Sequence, residues 1–152
     1  MDIVLHGGET HAKFDFNISN YKYFDSSKDE YIFIGVKISG TDYDVAHVKW
    51  KGDWRMPSNP EISLLNKCEM TKTKSNNVNG MKITGTNGNA IFIPFAGYYK
   101  DKEIINRNLH FYCWTENSLL ISIAKVIEFN SRDKMCNYMD KAWGLTVRPV
   151  MN

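Results

Sequence analysis

Four histidines, three cysteines, the serines and a Trp-Arg-Met-Pro tetrapeptide are the residues of this 152-residue chain with which chemistry would have to begin. His6, His11, His47 and His110 include no pair at the i, i+4 spacing that sets two imidazoles on one helix face for zinc, so they read as ordinary residues. No Gly-x-Ser-x-Gly turn is present and no serine has an evident base, so a serine hydrolase is not expected. Cys68, Cys113 and Cys136 stand too far apart for a zinc knuckle or a Cys-x-x-Cys redox pair. Their odd number leaves one thiol unpaired in a monomer. The sequence allows either three reduced thiols or one disulfide with a spare.

Trp54-Arg55-Met56-Pro57 has two possible uses. Trp54 is expected to anchor the core between two helices while Arg55 satisfies loop carbonyls or a carboxylate, because a guanidinium offers five fixed donors where irregular backbone needs partners. The competing use makes Arg55 a ligand-binding guanidinium, and Arg148 is open to the same two readings. Between Lys100 and Ala142 the chain is rich in Asn, Tyr, Lys and Arg around Tyr112, Trp114, Asn117, Asn130, Arg132, Asn137 and Tyr138. Rigid rings beside adaptable amides are the composition of binding paratopes; the competing reading is an ordinary solvated loop face. On a strand, Tyr112 and Trp114 alternate with Phe111 and Cys113, so the two pairs face opposite ways. With Phe111 and Cys113 inward, Tyr112 and Trp114 form an outward platform edged by Arg132 and Asn137. The opposite parity buries Trp114 and removes the platform.

The elements that must hold these residues follow from composition and spacing. With 43% hydrophobic and 13% aromatic residues the chain supplies one packed core, and its length fits one domain. The net charge of +2 is scattered, with no basic stripe to neutralise phosphates, so nucleic acid is excluded as the expected partner. No segment approaches the roughly 20 apolar residues of a membrane span, and Met1–His11 lacks the basic start and apolar core of an export signal.

Met1–Leu5 is apolar enough for a strand, and the stretch to Ser27 reads as loop with short extended pieces. Tyr31–Ile38 is β-branched and aromatic, which predicts a strand ended by Gly40. Apolar spacing of three and four over Asp42–Trp50, with Asp42 or Asp44 as cap and Gly52 past the end, predicts a first helix. Ser58 and Glu61 form a capping box that starts a second helix, running through Leu64 and Leu65 to about Lys67. Strands follow at Met70–Lys74, Met81–Thr84 and Ala90–Phe95. Asn87-Gly88 is expected to supply the positive φ angles of a tight turn that pairs Lys82–Thr84 with Ile91–Ile93. Further strands fit Phe111–Thr115, Leu120–Phe129 and Gly144–Val150, with a turn at Asn130–Asp133. The class is α+β.

Several segments in order also resemble a known family. These are Asp44–Trp50, Gly52-Asp-Trp-Arg-Met-Pro57 with Glu61 and Leu64-Leu65, Val78-Asn-Gly80, Gly85–Pro94 with Ala96-Gly97, Trp114-Thr115, and Gly144–Val150. Over roughly Gly8 to Val150 they resemble the Fibrobacter succinogenes major paralogous domain of Bacteroidetes surface and secreted proteins. The resemblance implies a C-type-lectin-like fold, two short helices packed on small antiparallel sheets with long loops, related to formylglycine-generating enzymes. Trp54, Arg55, Pro57, Gly144 and Arg148 are then structural-motif residues. It implies no established activity and no cofactor, hence a non-catalytic binding or adhesion module that recognises a glycan or a protein, placed outside the cell, on its surface or in the periplasm. The alternatives are a structural subunit or spacer in a surface assembly, or a degenerate enzyme of the formylglycine-generating type.

The departures sharpen these expectations. Sugar-binding C-type lectins hold calcium with a carboxylate-Pro-Asn loop and a Trp-Asn-Asp strand, whereas here Asn59-Pro60-Glu61 falls on a helix start and Trp143 is followed by Gly144, so recognition is expected without calcium. Formylglycine-generating enzymes need two neighbouring thiols that hold copper. Only Cys113 and Cys136, facing each other across adjacent strands, would supply them, and Cys113 beside Trp114 reads as an inert buried thiol. Members of the family carry an extended segment before the Gly-Glu-Thr that stands here at Gly8–Thr10. The chain supplies Met1–His6 in its place, which implies a shortened or missing first strand and leaves the pairing of Leu145–Val150 open.

Overall fold

Side-chain capping starts both helices. The computed structural model describes residues 3–4, 15–130 and 134–152, and within them α1 spans Val45–Trp50 and α2 spans Asn59–Leu64. Asp44 is fully buried before α1, where Oδ1 accepts from the Ala46 and His47 amides and Oδ2 from those of Gly40 and Met56. A six-residue helix is too short to be stable alone, and this carboxylate ties its first turn to the neighbouring loops. The Ser58–Glu61 capping box opens α2, which continues into a 3-10 turn over Leu65–Lys67. Neither helix is long and apolar enough to cross a membrane.

The strands are short: β1 (Ile3–Val4), β2 (Phe24–Asp25), β3 (Glu30–Tyr31), β4 (Trp54–Arg55), β5 (Glu69–Ser75), β6 (Val78–Thr84), β7 (Ala90–Pro94), β8 (Tyr98–Lys100), β9 (Glu103–Ile105), β10 (Phe111–Trp114), β11 (Ile123–Phe129), β12 (Lys134–Asp140), β13 (Leu145–Thr146) and β14 (Val150–Met151). They build a five-stranded sheet in the order β1-β13-β10-β11-β12, a three-stranded sheet β5-β6-β7, and three two-stranded pairs, β14-β4, β2-β3 and β8-β9. The arrangement is α+β, mostly small sheets with two short helices. β1 pairs antiparallel with β13, so Leu145 and Thr146 have Val4 and Ile3 as partners.

The five-stranded sheet is covered on both faces. Register sets Phe111 against Phe129 and Cys113 against Ile127, and these four side chains pack with Ile62 of α2 and with Met81, Ile83 and Ile93 of the three-stranded sheet. On the other face Trp114 stands against Val126 and packs with Ala124, Leu145, Val45 and Met56. A small third cluster joins Phe16, Tyr21 and Ala142.

Three local expectations need correction, and one strand was not expected. Tyr31–Ile38 is not a strand beyond Tyr31: it is irregular chain with Gly35 at φ 105°, held by an isolated bridge between Lys37 and Asn117. High β propensity makes a strand only where a neighbour offers a ladder. The Asn87-Gly88 turn does pair Lys82 with Phe92 and Ile83 with Ile91, yet only Gly88 takes a positive φ, and Asn87 instead accepts from the Asn89 amide through Oδ1. The two-residue turn with both φ positive lies at Asn76 (49°) and Asn77 (63°), between β5 and β6. Gly144–Val150 divides into β13 and β14, which join different sheets, and β12 was not anticipated.

Candidate functional site

The expected aromatic platform does not form. Trp114 is 0% exposed and Tyr112 is buried, because both faces of β10 are covered and neither parity frees a side chain. The Tyr112 hydroxyl accepts from Asn106 Nδ2 at 2.7 Å and lies 3.1 Å from His110 Nδ1, which in turn is 2.5 Å from Oε1 of the buried Glu128. Burial pushes the Tyr112 phenol up to about 12, so it stays neutral. This network, with Tyr98 edge-on to Tyr112, satisfies polar atoms inside the fold. Asn130 is partly buried, and Arg132 lies outside the described residues. Asn137 and Tyr138 are exposed but successive on β12, so they point to opposite faces of the sheet.

The Trp-Arg-Met-Pro segment fastens loops rather than offering a guanidinium. Arg55 makes a bidentate pair with Glu61, 2.8 Å on each branch, and gives Nε to Asn152 Oδ1. That pair, with the Ser58 amide and hydroxyl, holds the Glu61 carboxyl down to about 2. Pro57 accepts from the Glu116 amide through its carbonyl. Trp54 is only partly buried, on the β4 edge opposite Met151, so the expected core anchor between the helices is instead Met56, which is buried and donates to Asp44. Gly144 packs against the Phe16 ring so closely that a Cβ would come within 2.6 Å of it. Arg148 donates Nη2 to the Phe92 carbonyl at 2.9 Å.

The thiols are not neighbours. Cys113 and Cys136 each pair with Ile127 from opposite sides, so β11 separates them by two strand spacings, roughly 10 Å and beyond a disulfide's reach. All three cysteines are free. Cys113 is fully buried beside an apolar cavity of about 270 Å³ under α2, and burial pushes its thiol up to about 12. No group of three or more His, Cys, Asp and Glu side chains among the described residues is arranged to hold a metal ion.

What the surface does present is aliphatic. Ile32, Phe33 and Val36 on one segment and Leu119, Leu120 and Ile121 on another are exposed, from 45% at Ile32 to 56% at Phe33. Backbone bonds from Ser118 to Val36 (2.8 Å) and from Ile38 to Glu116 (3.0 Å) lay the segments antiparallel, with Lys37 bridged to Asn117. Both apolar runs extend the same way from that bridge. At its foot Asn117 Nδ2 and Ser118 Oγ are buried without hydrogen-bond partners among the described residues. Clustered exposed aliphatics mark interaction sites, whereas scattered ones carry no message. The sequence signal was a triple of large aliphatics directly after a polar stretch, which the reading of Leu120–Phe129 as one strand absorbed. Comparison with protein-family models, curated proteins and solved structures finds no match to the chain.

Lys141 supports this strip from beneath. It is buried, donates Nζ to the Ile121 carbonyl at 2.9 Å, and burial pushes its pKa from 10.5 down to about 8, opposed by Asp140. Between those values the unfolded chain binds the extra proton, so stability rises with pH; below about 8 the cost of the buried charge is fully present. Cys113, raised from 9.0 to about 12, acts oppositely above pH 9, since the unfolded thiol ionises first. Stability is therefore expected to rise by about 1 kcal/mol from pH 8 to 9, then level and fall. Urea midpoints at these pH values measure it, and Lys141→Met should abolish the rise.

Proposed function

We propose that this chain is a non-catalytic binding module of a bacterial surface or secreted protein, built on a C-type-lectin-like fold, and that it recognises a protein without calcium through the strip formed by 32–36 and 119–121. The two short helices, the small sheets, antiparallel except where β10 runs parallel to β13, the long loops and the pairing of β1 with β13 support that fold. The exposed aliphatic strip carries the functional reading. Six large aliphatic and aromatic side chains in water on paired loops are a surface that gains free energy by being covered. Five of the six are aliphatic, which favours a protein over a sugar, since sugar rings stack on aromatic faces and Phe33 alone supplies one. The separation of Cys113 from Cys136 speaks against thiol-pair chemistry.

Anchors of this kind dominate interfaces, so Phe33→Ser with Leu120→Ser is expected to weaken partner capture by about tenfold or more. The measurement is quantitative retention of surface and secreted proteins on the immobilised domain, beside the double variant and an Ile91→Ser control that exposes a similar side chain elsewhere. Urea midpoints of all three should agree closely. Equal retention by the wild type and the double variant, or binding to a glycan array that ignores the substitutions, would remove the reading.

A further inference from the structure

β12 is the outer strand of the five-stranded sheet, seven residues long, and its middle residues Met135, Cys136, Asn137 and Tyr138 are all exposed. Among the described residues no strand pairs with its outer side, and an open edge of this length is a template for another strand unless charge, proline or a bulge blocks it. Here the strand contains no proline, and Lys134 and Asp140 stand only at its ends. The side of β12 that faces away from β11 follows from one bond: the Tyr138 amide donates to its neighbour's Asn137 Oδ1 rather than to β11. By alternation, Lys134, Cys136, Tyr138 and Asp140 turn their backbone amides and carbonyls outward.

The sequence of the strand, Lys-Met-Cys-Asn-Tyr-Met-Asp, is self-complementary when laid antiparallel on itself about Asn137. Lys134 then meets Asp140, Met135 meets Met139, Cys136 meets Tyr138, and Asn137 meets its own copy. The register obeys the hydrogen-bond parity, since Lys134 with Asp140 and Cys136 with Tyr138 are all outward-turned residues, while Asn137 sits at a non-hydrogen-bonded position. It also sets a lysine position opposite an aspartate position at both ends, and opposite-charge pairing across strands favours one direction and register.

We infer that β12 is a homodimer interface, in which two copies pair their β12 edges antiparallel about a two-fold axis at Asn137 and join their sheets into one. The interface is isologous, so the same residues act on both sides. The Asn137 side chain, which occupies the Tyr138 amide in the single chain, is released when the second strand takes over that donor. This interface is separate from the aliphatic strip and stands or falls independently of it.

Two measurements on the full chain decide the matter. Sedimentation equilibrium is expected to show a concentration-dependent dimer that Cys136→Pro abolishes, because proline there removes an outward amide and leaves the bonds to β11 intact. Lys134→Asp, which sets like charges against Asp140, should weaken it by about tenfold. In a Cys136→Ser background, Asn137→Cys brings two thiols together on the axis, at about 4.5 Å between Cα atoms. With glutathione disulfide, two protein thiols become one intermolecular disulfide and two glutathione molecules are released. That cross-link should form about tenfold faster than one from an exposed Ser75→Cys control, through the raised local concentration. A chain that stays monomeric at millimolar concentration, or cross-linking at the control rate, overturns the proposal.

Discussion

Trp114→Ala is expected to lower stability by about 3–5 kcal/mol, a large part of the reserve of a domain this size. Trp114 is the largest of the fully buried side chains and sits on β10, the strand through which β13 and β11 are joined. Its ring packs with Val126 and Ala124 of β11, Leu145 of β13 and residues of α1, so truncation opens a cavity that no single element can collapse to fill. The same truncation at Trp54, which is partly exposed on a two-stranded edge, removes less buried surface and should cost clearly less. Urea unfolding followed by far-UV circular dichroism compares the two directly. A midpoint shift for Trp114→Ala no larger than that for Trp54→Ala would contradict the assignment of β10 as the middle of the core. Because Trp114→Ala threatens the fold itself, loss of partner binding in that variant carries no information about where binding occurs.

The parts of the fold that could be read from sequence are those set by chemistry within a few residues. Asp44 and the Ser58–Glu61 box announced both helices because capping needs only the first-turn amides. Arg55 was readable as a partner for a carboxylate, and Glu61 six residues away supplied it. The β6–β7 pairing was likewise legible, although its turn uses Gly88 alone for the positive φ. What failed depended on distant segments. Tyr31–Ile38 has strand-forming residues but no strand beside most of them, whereas β12 contains no β-branched residue and becomes a strand because β11 offers it a complete ladder.

The candidate site was less legible for a related reason. Alternation along Phe111–Trp114 shows which side chains share a face but not whether a second layer covers it. The loop carrying Ile34 and the segment with Leu145 and Val147 cover the face of Trp114, and both come from remote parts of the chain. Exposure of 119–121 was hidden by the same limit: an aliphatic triple before a strand reads as more strand until the partner strand is seen to end at Asp140, opposite Ile123.

Gly97→Ala is expected to be nearly as damaging as loss of the Trp114 ring, and for a reason that lies in the backbone. Gly97 is buried with φ at 70°, a conformation that costs an L-residue about 1–2 kcal/mol by itself. A Cβ placed there would stand 2.2 Å from the Ile105 carbonyl oxygen and 2.8 Å from the Arg107 amide nitrogen. Both neighbours are main chain, so no side-chain rotation relieves the clash; β9 or the turn after it must shift, at a further cost of about 1–3 kcal/mol. The displaced turn carries Asn106, which donates to the Tyr112 hydroxyl, and the Gly97 amide itself donates to the His110 carbonyl, so the strain reaches the polar network on β10. Gly88 provides the control, because its φ is also positive, at 80°, but a Cβ there meets nothing within 4 Å. Gly88→Ala should therefore show the conformational cost alone, and Gly97→Ala the sum, about 2–5 kcal/mol, as a larger drop in urea midpoint. Equal midpoints for the two variants would mean that the β8–β9 hairpin does not approach Gly97 in solution as closely as it does here.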